Sequence, residues 1–240
     1  MFLFRIIETL QPPYIDGDIK AAFGIMVLLT LVYAVYLTVR LKSPLWLVWL
    51  MPGWAVVATV VARSGRLINQ DQISPLFILL PTLPIAFWFL AMRTKRLDDG
   101  LKRLPNVWLI LPHALRIGVE WVLAELYWDK VIPFQMTFEG YNFDVLSGIG
   151  ALVLGLLLVL KPNQVTPKII KWYNYIGLTL LVTIVMIAVL SAPLPIRQFM
   201  NAPANTMVAF FPMILLPTII VPMAAVLHLL SLRKLDLQTQ

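Results

Sequence analysis

The chain has 240 residues, 60% of them hydrophobic and 13% charged, with a mean hydropathy of +0.85 and a net charge of +7. So little charge cannot cover a soluble domain of this length, and the basic residues gather at the ends of apolar runs rather than in a patch suited to nucleic acid. The absence of cysteine excludes disulfides, thiolate metal sites and cysteine nucleophiles. What remains is an all-α, polytopic membrane bundle.

Residues 1–10 are apolar but short, carry Arg5 and Glu8, and run into Pro12-Pro13. This predicts an interfacial helical turn, with Phe2, Phe4 and Ile7 in the headgroup layer, rather than a cleavable leader. Seven predicted spans follow, at 21–39, 44–62, 73–92, 104–128, 144–160, 169–191 and 207–232. Each approaches the length that crosses about 30 Å of hydrocarbon, the fifth being the shortest. Short connections make residues 1–240 one transmembrane domain of antiparallel neighbours. Lys and Arg on alternate sides number twelve against six, the larger group including Arg40, Lys42, the 93–103 cluster, Lys161, Lys168, Lys171, Arg233 and Lys234. The positive-inside rule then places the N-terminus outside and the C-terminus in the cytoplasm.

Packing marks stand out on two spans. Ser147, Ala151 and Gly155 recur every four residues and form a small-residue ridge for close helix approach. Pro212, Pro217 and Pro222 each remove a backbone donor from the last span, which predicts kinks that shape the bundle or line a polar cavity. The chain shows no internal repeat of the kind that builds many secondary transporters.

The fourth span is the unusual one, because its middle carries His113, Arg116 and Glu120. At helical pitch these three fall within about 60° of one another. Charge at bilayer mid-depth costs roughly 2.5–3.5 kcal/mol per group on insertion scales and is usually paired and turned inward. Arg116 and Glu120 either satisfy each other as an i,i+4 pair or find partners on other helices; the order Arg before Glu is the less favoured for a helical pair. Glu139, Asn142 and Asp144 in the following loop, and Asn205 before the last span, gather polar groups toward the same outer half of the bundle. Asp144 equally suits a helix N-terminus, Glu125 reads as a solvated interfacial residue, and His113 as a hydrogen-bonded buried histidine. His228 falls near the cytoplasmic end of the predicted last span, about 8 Å from the depth of His113 by residue rise, which disfavours a haem held between them. No metal or other cofactor is predicted. All nine lysines fall in loops or at span ends, which argues against a retinal protein, and no phosphate-cradling glycine loop, HExxH pair or Gly-x-Ser-x-Gly elbow appears.

Two segments, Phe138-Glu-Gly-Tyr-Asn-Phe-Asp144 and Asn201-Ala-Pro-Ala-Asn-Thr-Met-Val-Ala-Phe-Phe-Pro212, resemble stretches in a group of uncharacterised bacterial multispanning membrane proteins. The resemblance runs from the fourth span onward. It implies a bacterial inner-membrane location and carries over no activity, cofactor or catalytic residue.

These readings lead to one expectation and two alternatives. The expectation is an outer-half polar pocket that binds a small polar or anionic ligand, or an ion, for sensing or transport. Arg116 and Glu120 form its floor, with His113 on the same face and Glu139, Asn142, Asp144 and Asn205 as further candidates. The alternatives are an intramembrane enzyme acting on a lipid or isoprenoid-like substrate and an accessory subunit whose buried charges specify assembly. Membrane lipid is the implied surroundings, a homo-oligomer or a membrane complex the implied assembly, and nucleic acid is not a partner.

Overall fold

Asp16 starts the first long helix. Its carboxylate accepts the Asp18 N–H at 2.8 Å, and Asp18 in the first turn and Arg40 in the last complement the helix dipole of α1 (Gly17–Arg40). Phe23, Val27, Ala34 and Leu37 of α1 are buried, while Ile25, Leu28, Leu29 and Val32 on its other face are exposed. A helix apolar all round has no water-facing side. The computed structural model describes residues 12–69, 72–91 and 94–239; the expected interfacial turn with Phe2, Phe4 and Ile7, and Arg93 of the basic cluster, lie outside them.

After α2 (Leu45–Arg63), a minimal hairpin of β1 (Ile68–Asn69) and β2 (Gln72–Ile73) and a 3-10 turn at Pro75–Ile78 lead into α3 (Leu79–Ala91). The short α4 (Lys95–Arg103) is amphipathic, with Leu97 and Leu101 wholly buried and Lys95 and Lys102 exposed. Next, α5 (Val107–Ile110), a 3-10 turn at Leu111–Ala114 and α6 (Leu115–Trp128) make one continuous span. An irregular loop containing a 3-10 turn at Phe134–Met136 precedes α7 (Val145–Leu160). Thr166 caps α8 (Pro167–Ser191) by accepting the Ile169 N–H, with Pro167 in the first turn, where a missing donor costs nothing. A second irregular stretch and a π-helical turn at Leu216–Ile220 then feed α9 (Val221–Thr239).

The molecule is all-α, and five of its described helical segments are long and apolar enough to cross a membrane: Gly17–Arg40, Trp46–Arg63, Val107–Trp128, Pro167–Ser191 and Leu216–Gln238. The segments expected as the third and fifth spans are shorter apolar helices, Leu79–Leu90 and Val145–Leu160. Pro75 opens a 3-10 turn where the third span was expected to be helical, and α7 begins beside the midpoints of other helices. The C-terminal helix is the most enclosed of the long ones and packs against α3, α4, α5 and α8.

The last helix lies further along the chain than the 207–232 expected for it. Its start is delayed because Pro212 and Pro217 cannot donate to a regular first turn, and residues 207–214 instead form a 3-10 turn, a bend and a run of turns. Its end runs on to Thr239 because the charges that seemed to mark an interface find partners on α4. Arg233 forms a two-point pair with Asp98, at 2.9 and 3.2 Å, and the buried Lys234 Nζ donates to the Leu104 carbonyl at the C-terminal end of α4. Lys234, expected in a loop or at a span end, therefore sits inside a helix.

Where α4 crosses the end of α1, Gly100 allows backbone contact: a Cβ there would lie 2.4 Å from the Leu41 carbonyl oxygen. Gly100→Ala is expected to lower stability by about 1–3 kcal/mol, the usual cost of overpacking, while Gly24→Ala, on an exposed face with nothing within 4 Å, leaves it unchanged or slightly raised. Thermal unfolding of the two variants in detergent checks this; equal melting temperatures would contradict the contact.

Candidate functional site

Arg116 stands in the first turn of α6, ten residues into a 22-residue span, and is only 4% exposed. It does not pair with Glu120 one turn later. Its Nε meets Asp144 Oδ2 at 3.0 Å, its Nη1 donates to Ser147 Oγ at 2.6 Å and more weakly to the Gly177 carbonyl at 3.5 Å, and Nη1 lies 3.4 Å from His228 Nε2. One guanidinium thus joins α6, α7, α8 and α9. Asp144 immediately precedes α7, but its side chain does not cap that helix; the ion pair takes precedence.

Asn142 positions Asp144. Its Nδ2 lies 2.7 Å from both carboxylate oxygens of Glu120 and donates to the Met136 carbonyl at 3.1 Å, while its Oδ1 accepts the Asp144 N–H at 3.1 Å. This single amide, 1% exposed, ties the loop to α6, to itself and to the start of α7. A second latch holds the two irregular stretches together, with Gln135 donating to Ser191 Oγ and accepting from Asn201 Nδ2, both at 2.8 Å. Irregular backbone buried this deeply needs such partners.

On the opposite side of Arg116, polar groups continue in a chain. Asn174 Nδ2 donates to Ile170 O and Ser231 Oγ, each at 2.8 Å, which turns its Oδ1 toward His228 Nδ1 at 2.9 Å. His228 Nδ1 therefore carries the proton, and Nε2 presents its lone pair to Arg116. His113 stacks on His228 with ring centroids 3.8 Å apart, and Tyr173 stands edge-on to His113 at 6.0 Å. Close approach depends on Gly177, where a Cβ would lie 2.4 Å from His228 Cε1 and 2.9 Å from Ser147 Oγ.

Some polar valences stay open. Arg116 Nη2, Asp144 Oδ1, Asn205 Oδ1 and both ring nitrogens of His113 are buried without a hydrogen-bond partner, each a cost of about 1–3 kcal/mol. Arg116, Glu120, Asp144 and Asn205 share the wall of a cavity of about 320 Å³ between α3, α6, α8 and the π-turn, otherwise lined mainly by apolar side chains such as Val119, Leu181 and Ile220. Ile78, Val182 and Met186 at its rim are exposed on the surface of the bundle. Asn205 is held there by donating to Ala188 O at 3.0 Å.

The model of the domain of unknown function DUF8737 matches residues 72–236, a stretch that contains every residue of this cluster and leaves α1 and α2 outside. The chain belongs to that family. No curated protein and no solved structure matches it.

Of the residues expected to form a site, Arg116, Glu120, Asn142 and Asp144 come together, and Asn205 joins them across the cavity. Glu139 does not; it is exposed on the loop. His113 lies beside Arg116 as expected but lacks the hydrogen bonds anticipated for it. The depth separating His113 from His228 is overturned: with α9 displaced along the chain, His228 is the thirteenth residue of the 23-residue span Leu216–Gln238 and sits at mid-length. The stacked rings leave no gap for a porphyrin. Among the described residues no group of three His, Cys, Asp or Glu gathers as a metal site. Ser147, Asn174, Gly177, His228 and Ser231 were missed as a constellation, although an Asn, a Gly and a His within otherwise apolar helices were the available signal.

A buried ion pair is costly to halve and cheap to replace whole. Asp144→Ala in the DUF8737 chain is expected to destabilise by about 3–5 kcal/mol, whereas Arg116→Met combined with Asp144→Leu recovers most of that loss. Thermal melts of the single and double variants measure the coupling; additive losses would show that the pair is not what holds these helices.

Proposed function

We propose that this DUF8737 chain is an integral protein of a bacterial cytoplasmic membrane that binds a small membrane-derived ligand in the cavity beside Arg116, for sensing or transport. The chain makes seven passes in this reading. Five are full-length helices, and α3 and α7 complete theirs with the buried irregular backbone that precedes them. The basic ends, including Lys42, Lys95, Lys102, Lys161, Lys168 and Lys171, support an orientation with the C-terminus in the cytoplasm and the 129–144 and 192–215 loops outside.

One observation carries the proposal: Arg116 Nη2, Asp144 Oδ1 and Asn205 Oδ1 are unpartnered in residues lining one cavity that is otherwise largely apolar. Such a wall suits a ligand with a compact polar head, both donor and acceptor, on an apolar body. A purely polar solute would leave the apolar wall uncompensated, and a simple anion would find Arg116 already matched by Asp144. The exposed apolar rim at Ile78, Val182 and Met186 supplies a lateral way in from lipid.

A second reading draws on the same lateral opening. Glu120 and Asp144 are two carboxylates in one cavity wall, a pair that can serve as acid and base toward a lipid or isoprenoid-like substrate. Binding comes first in either case.

Native mass spectrometry of gently extracted protein tests the binding step. The expected result is a retained small amphiphile in the wild type, lost from Glu120→Gln and from the cavity-filling Leu181→Trp while both variants elute as folded protein. Glutamine keeps the shape and one acceptor for Asn142 but removes the carboxylate. Retention of the same molecule by both variants would overturn the assignment of this cavity.

A further inference from the structure

Across the Arg116 guanidinium lies a second cavity, of about 380 Å³, between α1, the Leu111–Ala114 turn and α9. Arg116, Ile220 and Ala224 line both cavities. The mouth of the second is formed by Leu29, Trp108 and Leu111, all exposed on the bundle surface that faces lipid in the membrane reading. Tyr33 flanks the mouth and is fixed there by donating its hydroxyl hydrogen to the Trp108 carbonyl, and Trp108 packs against Tyr36 with ring centroids 5.2 Å apart.

The wall of this cavity holds His113, 2% exposed and without a partner at either ring nitrogen. A neutral imidazole in that position has one donor and one acceptor unused. Its orientation is set in advance: one face stacks on His228, itself held between Asn174 and Arg116. A protein rarely fixes an unsatisfied histidine so firmly unless something else completes its hydrogen bonds.

The surroundings limit what that partner is. An anionic head would bring uncompensated charge, since Arg116 is matched by Asp144 and Glu120 stands one turn away. A cationic head would meet the guanidinium. A neutral head with hydrogen-bond acceptors remains, and the indole, phenol and imidazole rings around the space favour a flat one. We propose that this cavity binds the head group of a membrane quinone. A carbonyl oxygen accepts from His113, and the isoprenoid tail leaves past Leu29 and Leu111. The proposal shares the membrane placement with the preceding section and is independent of what fills the first cavity.

The test uses the full chain in phosphatidylcholine nanodiscs, titrated with a short-chain ubiquinone while tryptophan fluorescence is followed. The expected result is a saturable quenching component that disappears in Trp108→Phe and that oleate does not displace. His113→Leu, similar in bulk but without a donor, weakens binding about tenfold, as expected for one buried hydrogen bond. Leu29→Tyr, which crowds the mouth from a lipid-facing position and leaves the core intact, weakens it as well. Quenching that only rises in proportion to quinone in the bilayer, or that is unchanged in Trp108→Phe, overturns the proposal. So does displacement by oleate, or wild-type affinity in both His113→Leu and Leu29→Tyr.

Discussion

A guanidinium in an apolar interior must find its counter-charge and hydrogen-bond acceptors within the protein, and in this molecule one arginine imposes that requirement on four helices. Arg116 reaches Asp144 at the head of α7, Ser147 within it, Gly177 of α8 and His228 of α9. Each contact constrains another element. The Asp144 carboxylate must enter the bundle, so Gln135, Met136, Thr137 and Asn142 of the preceding loop are buried with it. Gly177 must lack a side chain, because a methyl group would occupy the space of the His228 ring. His228 must present a lone pair, which Asn174 secures by accepting the proton on its other nitrogen.

The same requirement explains why α7 is short. Its first turn meets the start of α6 and the middle of α8 and α9, and its small residues let it lie close: a Cβ on Gly148 would come within 3.0 Å of the Ile117 backbone nitrogen, and one on Gly155 within 2.8 Å of Leu111. The segment before it is irregular chain that a hydrocarbon phase would not tolerate unsupported. Asn142 supplies the support, using both its donors and its acceptor on Glu120, Met136 and the Asp144 amide. At the opposite end of the bundle, α4 plays a comparable part by accepting Arg233 and Lys234 from α9. Helix α9 can thereby continue past two cations that would otherwise mark its end.

Placing charge between two cavities has a chemical consequence. Because Arg116 is already paired with Asp144, neither cavity is an anion trap, and both are largely apolar spaces lined in part by residues with unpartnered buried polar atoms. The cavity toward α3 and α8 offers mixed donors and acceptors, whereas the one toward α1 offers His113. In the proposed reading, molecules that live in the bilayer occupy both. The family match begins at residue 72 and so takes in the whole of the first cavity but not α1, which forms one wall of the second.

The all-α character, the apolar helices and the need of Arg116 and Glu120 for shelter were legible in the linear chain, because hydrophobic run length and the cost of charge in hydrocarbon are local properties of a segment. Partner choice was not. Arg116 and Glu120 sit one helical turn apart and invite pairing, yet they take Asp144 and Asn142 across 28 and 22 residues of sequence. Nor could a hydropathy reading give the register of the last helix: Pro212 and Pro217 shift its beginning, and Asp98 and the Leu104 carbonyl accommodate the charges near its end, bringing His228 level with His113. Composition and spacing thus determined what kind of molecule this is and which polar residues needed shelter. Tertiary packing alone decided which groups shelter them, because a hydrogen bond or ion pair depends on distances between elements that no single segment contains.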